Sequence, residues 1–317
     1  PRGHAHRRVP EPRQVLTVRA MVDWRPGATP AVLRARAGLL GRVRRFFAER
    51  DVLEVDTPIL ARTTVTEPAI ASVAADGGWL QTSPEYFMKR LLAAGTGPVY
   101  QLGHVFRAGE HGRLHNPEFL LLEWYRPGFD DGALMDELEA LLAPELAGFP
   151  ARRVPFAELV GDWCGVDPLD ADAATLARAV AGRWAAEERE GDPLALADGD
   201  RIALLDLAYA EALAGSRGAL FVTAFPAAMA ALARLHPDGR TAARFELVVD
   251  GVELANGFHE LGDPAEQRRR FEADRERRRS AGLAVPELDE AFLTALAHGL
   301  PDCAGVAVGL DRVLLLA

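Results

Sequence analysis

Across residues 30–51, apolar side chains recur as Val32, Leu33, Leu39, Leu40, Val43, Phe46 and Phe47 between arginines. That spacing predicts one long amphipathic helix with a solvated basic face. Residues 52–58 alternate instead, which predicts a short strand ended at Pro58, because proline has no N–H to give a ladder. Ser83-Pro84 predicts a turn into a second helix running to Leu92, with Ser83 as N-cap, Pro84 at the first helical position, and Glu85, Lys89 and Arg90 inside it. Residues 97–127 read as two strands around a polar loop. Residues 134–217 are Ala/Leu-rich and mostly helical, with a soft acidic stretch at 187–200 placed at the surface. A hairpin follows at 245–260, a highly charged helix at 263–282, and at 304–317 a strand running into the start of a helix.

No repeat or compositional break divides this pattern, so one α+β domain is expected over residues 30–317, with a helical insertion at about 134–217. Residues 1–29 are Pro/Arg/His-rich without periodicity and read as a leader outside the fold, disordered or carried over from cloning. With 49% hydrophobic and 26% charged residues in 317, the chain has ordinary globular usage, which excludes wholesale disorder, collagen-like and coiled-coil architectures. The balance of 36 basic and 46 acidic residues leaves a net charge of -10, against the basic footprint of a general nucleic-acid binder. No apolar run approaches the ~18 residues of a membrane span. Two cysteines, Cys164 and Cys303, cannot form a disulfide framework, so a cytoplasmic location is expected.

Three stretches hold candidate chemistry. In the first, strand parity over 99–107 puts Gln101, Gly103, Val105 and Arg107 on one face, so that Arg107 emerges where the loop begins, placed to clamp an anion. The loop supplies Glu110, His111, Arg113, His115 and Asn116. On the returning strand Phe119, Leu121, Glu123 and Tyr125 share a face, offering a stacking plate and then an amine-recognising acid and phenol. A half-exposed hairpin with a polar loop, or a zinc site at His104, His111 and His115, are the competing interpretations of this stretch alone.

In the second stretch, Asp250-Gly251 predicts a type I′ turn that pairs Val249 with Val252 and Val248 with Glu253. Glu246 then lies one diagonal step from Glu253, ~7 Å away, close enough to share Mg²⁺ ions unless both acids simply face solvent. Asn256, Phe258 and Glu260 also share one face, but simple alternation would put Glu253 on the other. A β-bulge between Leu254 and Gly257, eased by Gly257, is therefore predicted. In the third, Gly305, Ala307 and Gly309 alternate on one face, a nearly bare floor that could be close strand packing or a ligand's bed, with Arg312 beyond it opposite Arg107.

In order and spacing, FRAGEHGRLHNPEF with LLLEWY, then FELVVDGVELANGFHEL, then GVAVGLDR, resemble the three signature motifs of class II aminoacyl-tRNA synthetases. The lysyl branch matches best, and within it the short paralogues that attach β-lysine to elongation factor P. The resemblance spans nearly all of 30–317. It implies an antiparallel sheet flanked by helices, and ATP-dependent activation of lysine or (R)-β-lysine as an adenylate. Arg107 and Arg312 would be catalytic on the phosphates. Glu110, His115, Asn116 and Phe119 would complete the nucleotide site, with Phe119 against adenine, and Glu246 and Glu253 would hold Mg²⁺. Glu85, Glu123, Tyr125, Asn256, Phe258, Glu260 and Ala307 would surround the amino acid. Where the family has glutamate two residues after the motif arginine, this chain has Gly109 with Glu110 next, and Ala307 stands where lysyl-tRNA synthetases have glycine.

Elongation factor P is the implied acceptor and a homodimer the implied assembly. No oligonucleotide-binding segment is evident ahead of the core, so no anticodon recognition is expected, and the closing helix after Arg312 reads as shortened. A lysyl-tRNA synthetase-like enzyme acting on tRNA and a catalytically inactive regulatory relative are the alternative functions.

Overall fold

The computed structural model describes residues 24–317, so most of the leader expected over 1–29 lies outside the described residues. Helix α1 (Pro30–Ala48) starts on Thr29, whose side chain accepts from the Val32 N–H, and buries Leu39, Val43 and Phe47. Short strands β1 (Leu53–Glu54), β2 (Leu60–Ala61), β3 (Ala74–Ala75) and β4 (Gly78–Leu80) lead to α2 (Glu85–Ala93). The long pair β5 (Val99–Phe106) and β6 (Glu118–Pro127) is followed by α3 (Asp131–Leu142). Next come β7 (Arg152–Pro155), α4 (Phe156–Cys164), α5 (Ala173–Ala186), α6 (Pro193–Leu196) and α7 (Arg201–Leu213). The chain finishes with β8 (Ala219–Pro226), β9 (Thr241–Val249), β10 (Val252–His259), α8 (Pro264–Ser280), α9 (Glu290–Gly299), β11 (Cys303–Gly309) and α10 (Leu310–Leu316).

Eight strands form the main sheet in the order β1-β5-β6-β11-β10-β9-β8-β7; β2, β4 and β3 form a small second sheet. The six central strands are antiparallel, and the edge strands β1 and β7 each pair in parallel. The fold is α+β, as the pattern of apolar positions indicates. The 134–217 stretch is not wholly helical: Arg152–Pro155 joins the sheet edge before the helices begin. The 52–58 strand is ordered only at Leu53–Glu54.

Each face of the sheet is covered differently, and this makes the cleft. One face is sealed along its length, where Phe47, Leu138 and Val313 from helices pack with Leu122, Trp124, Leu247 and Val306 of the strands. On the other face, α4, α5 and α7 cover the β7–β8 end through Phe156, Val180 and Leu204 against Leu220, Val222 and Val248. At the opposite end Met88 and Leu92 of α2 pack on Val99, Tyr125 and Cys303. Between these two coverings, among the described residues, no helix packs over the middle of β6, β11 and β10, and polar residues of the three stretches collect there.

Candidate active site

Register lines the side chains up across the sheet. One row runs Gln101–Glu123–Ala307–Asn256–Glu246, and the next runs Val99–Tyr125–Gly305–Phe258–Arg244. The Asp250-Gly251 turn has φ of 50° and 79°, the left-handed pair a type I′ hairpin needs, and pairs Val248 with Glu253 as its sequence dictates. The predicted bulge is present but earlier than expected: Leu254 is the extra residue between Glu253 and Ala255. That insertion brings Glu253 onto the face of Asn256 and Phe258. Gly257 does not ease the bulge; a Cβ there would come within 2.7 and 2.9 Å of ring atoms of Phe245, so the glycine makes room for a core ring.

At the amino-acid end of the cleft, two buried acids, Glu123 and Glu260, and the partly buried Glu85 gather near one buried lysine. Lys89 Nζ lies 2.5 Å from Glu85 and 2.6 Å from Glu260, and is 1% exposed. Glu123 accepts from the Tyr125 hydroxyl at 2.6 Å and from Ser83 at 2.7 Å. Ser83 also accepts from the Glu85 N–H at 3.0 Å, while the helix itself begins at Glu85 with Pro84 as its N-cap residue, one position later than expected. Glu260 is fully buried, and its Oε2 meets Lys89 Nζ as a close charged pair. Burial first, then the charge of Glu85, pushes Glu123 up to about 7. Burial likewise pushes Glu260 up to about 8, with Lys89 pulling the other way. Desolvation opposes the Lys89 charge, but Glu260 and Glu85 outweigh it and its pKa stands above the ordinary lysine range. Uncompensated acids of this kind suit a cationic guest.

The floor is not uniformly bare. At Gly305 a Cβ would collide with the Tyr125 ring and lie 2.6 Å from Glu260 Oε1, so this glycine is already covered by protein. At Gly309 the nearest atoms are Arg312 Cδ at 3.9 Å and Leu254 O at 4.0 Å, and there the backbone is open. Ala307 lies between Glu123 and Asn256 in the cross-strand row.

The nucleotide end gathers the two guanidinium groups expected there. Arg107 reaches the Thr82 carbonyl at 3.4 Å, sits 5.2 Å over the Phe119 ring and lies 3.9 Å from Glu110. Gly109 adopts φ 78°, which turns the chain so that Glu110 faces both Arg107 and, at 3.8 Å, His115. Arg312 donates to Glu253 O at 2.8 Å and to Leu114 O at 3.3 Å and meets His115 Nε2 at 2.8 Å, tying the loop to β10. Burial lowers the Arg107 pKa, and its charged neighbours are Glu110, Glu253, Arg312 and Glu123. Asn116 stands exposed in the loop. His104 pairs with Glu118 at 2.7 Å, away from His115, and among the described residues no group of three His, Cys, Asp or Glu side chains is arranged to hold a metal.

Glu246 is not solvent-facing. It accepts from Tyr209 at 2.8 Å and from Arg244 at 2.5 Å, and burial followed by the Glu253 charge pushes it up to about 7. Glu253, half-exposed, is the open member of the pair. A buried carboxylate with an open one close enough to raise its pKa is a donor set that fits a hard divalent cation.

Lys89, Arg244, Tyr209 and Ser83 are members of the site that sequence reasoning leaves out. Arg244 could have been found by strand parity with Glu246, since it also donates to Asn256 at 3.2 Å. Phe258 points into the cleft face but packs with Ala230, Ala233 and Ala242.

Against known proteins, the family model of tRNA synthetases class II (D, K and N) matches residues 13–317. Curated relatives are named elongation factor P–(R)-β-lysine ligase. That of Vibrio cholerae is 45% identical over 93% of this chain and 94% of its own length. That of Edwardsiella ictaluri is 46% identical over 94% of each, and that of Photorhabdus laumondii 45% identical over 93% of each.

Proposed function

Since the chain belongs to the class II tRNA synthetases (D, K and N), we propose that it activates (R)-β-lysine, or lysine, with ATP and transfers the acyl group to a lysine side chain of elongation factor P. The observation that carries this is the acid group Glu85, Glu123 and Glu260, the last two buried, at one end of a cleft whose other end holds Arg107 and Arg312. Carboxylates select ammonium groups by charge-assisted hydrogen bonds, and opposed guanidinium groups steady phosphate charge.

The substrate carboxylate oxygen attacks the α-phosphorus of ATP and pyrophosphate leaves. The neutral amine of the acceptor lysine then attacks the acyl carbonyl, an amide forms and AMP leaves. No enzyme nucleophile takes part, so catalysis is positioning plus charge stabilisation. Arg107 and Arg312 hold the phosphates, Phe119 offers its ring to adenine, and Glu110, His115 and Asn116 line the loop over them. Glu246 and Glu253 would hold Mg²⁺, which supplies neutralisation of phosphate charge. Asn256, Tyr125, Phe258 and Ala307 shape the amino-acid bed. The catalytic unit is one domain over 30–317 with an inserted segment at about 134–217, working as a homodimer in the cytoplasm, and among the described residues no helix is long and apolar enough to cross a membrane.

Radiolabelled lysine and (R)-β-lysine offered with ATP to elongation factor P and to tRNA test this directly. Label on elongation factor P, with amino-acid-dependent ATP–pyrophosphate exchange, is expected. Label on tRNA would make the chain a tRNA synthetase, and no exchange at all would make it an inactive relative.

A further inference from the structure

We infer that Lys89 is a positioning residue for the amino-acid pocket: a resident ammonium that fixes Glu85 and Glu260 and leaves the pocket short of two positive charges. This rests on the proposed amino-acid site. Lys89 is anchored on α2, one turn after Glu85, and its Nζ bridges that acid and Glu260 at the end of β10. The two carboxylates come from different elements, and Lys89 Nζ contacts both, which holds their side chains in one arrangement. Tyr125 and Phe292 place their rings about the ammonium at 6.0 and 5.9 Å, close enough to favour a cation and exclude water. Nothing in activating a carboxylate on phosphorus requires this lysine, and it lies at the far end of the cleft from Arg107.

The charge count gives Lys89 a consequence beyond support. Glu85, Glu123 and Glu260 bring three negative charges and Lys89 one positive, leaving -3 + 1 = -2 when all are ionised. A guest with two ammonium groups closes that deficit, whereas a guest with one leaves a buried charge unpaired. Lys89 therefore sets how many cationic groups the pocket accepts, while Glu123 is held in place by Ser83 and Tyr125.

The test is steady-state ATP–pyrophosphate exchange on the full chain and on Lys89→Met, with (R)-β-lysine varied at saturating ATP and then ATP varied. Folded fraction is matched by circular dichroism. The expected result is a KM for (R)-β-lysine raised at least about tenfold, as for loss of charged hydrogen bonds, with kcat and the KM for ATP within about threefold. An unchanged KM for (R)-β-lysine overturns the inference, as does a fall in kcat with an equal rise in the KM for ATP, the mark of a general structural role. Where Lys89→Met fails to fold, Lys89→Gln keeps a donor between the two acids but no charge, and the same results decide. Lys89→Arg, which restores the charge, is expected to recover at least half of the lost affinity on a logarithmic scale. Absence of exchange in the unaltered chain overturns the proposed function, and the inference with it. Normal exchange there with normal KM in Lys89→Met overturns the inference alone.

Discussion

Ala307 shows how much one methyl group can decide. It stands in a row where Glu123 is on one side and Asn256 on the other, both on the cleft face, so its Cβ lies on the floor of the proposed amino-acid bed. A change of one methyl in a shaped pocket is worth roughly 1–3 kcal/mol, or about 10–200-fold. Ala307→Gly is expected to shift kcat/KM toward α-lysine relative to (R)-β-lysine by about tenfold in adenylate formation, and a ratio that stays put would remove Ala307 from specificity. The acids beside it make binding depend on pH. Folding raises the proton affinity of Glu260 to about 8 and of Glu123 to about 7, mainly through burial. Their contribution to stability is thus full below the ordinary glutamate pKa and is lost as pH rises through about 7 to 8. A dicationic amino acid favours the ionised acids and releases protons as it binds. Thermal midpoints from about pH 5 to about pH 9 should therefore show (R)-β-lysine stabilising the protein increasingly with pH; a gap that narrows as pH rises contradicts the assignment of these acids.

Within β11 two glycines that look alike in sequence do different work. Gly305 lies under Tyr125 and Glu260, whereas the backbone at Gly309 is open. Gly305→Ala is expected to destabilise the fold by roughly 1–3 kcal/mol through overpacking and to raise the KM for the amino acid, because Tyr125 must move. Gly309→Ala should leave the melting temperature near that of the parent and raise the KM for ATP instead; equal behaviour of the two variants in both assays would refute this division of the strand. Strand parity could place both residues on the cleft face, but only coordinates reveal which one another side chain already covers. The hairpin register was legible because Asp-Gly turns leave few alternatives, and the bulge was legible in kind because Glu253 had to share a face with Asn256, Phe258 and Glu260. Its place was not, since the glycine that seemed to relieve it answers to Phe245 on the opposite face. Arg152–Pro155 was hidden among helical neighbours because four residues carry too little alternation to register. Lys89 was hidden because Glu and Lys four apart on a helix ordinarily form a solvated surface pair, and burial is a property of what α2 packs against.

At the scale of the molecule, the way the main sheet ends at β1 bears on assembly. This edge strand is two residues long, and the segment from it to β2 exposes Leu53, Ile59 and Leu60, each about half accessible. Val32 and Leu33, at the start of α1, are exposed as well. Apolar side chains gathered at an edge are covered in many proteins by a second copy, and a two-fold contact lets the same short segment serve on both sides. The net charge of -10 opposes unspecific association, and for the homodimer proposed above these apolar side chains are the candidate contact. Ile59→Asp places a charge in that contact without touching the cleft residues. Sedimentation equilibrium is expected to give twice the chain mass for the parent and the chain mass for the variant at micromolar concentration. A dimer surviving in Ile59→Asp would move the interface elsewhere on the surface, and a parent that sediments as a single chain would mean that these side chains remain in water.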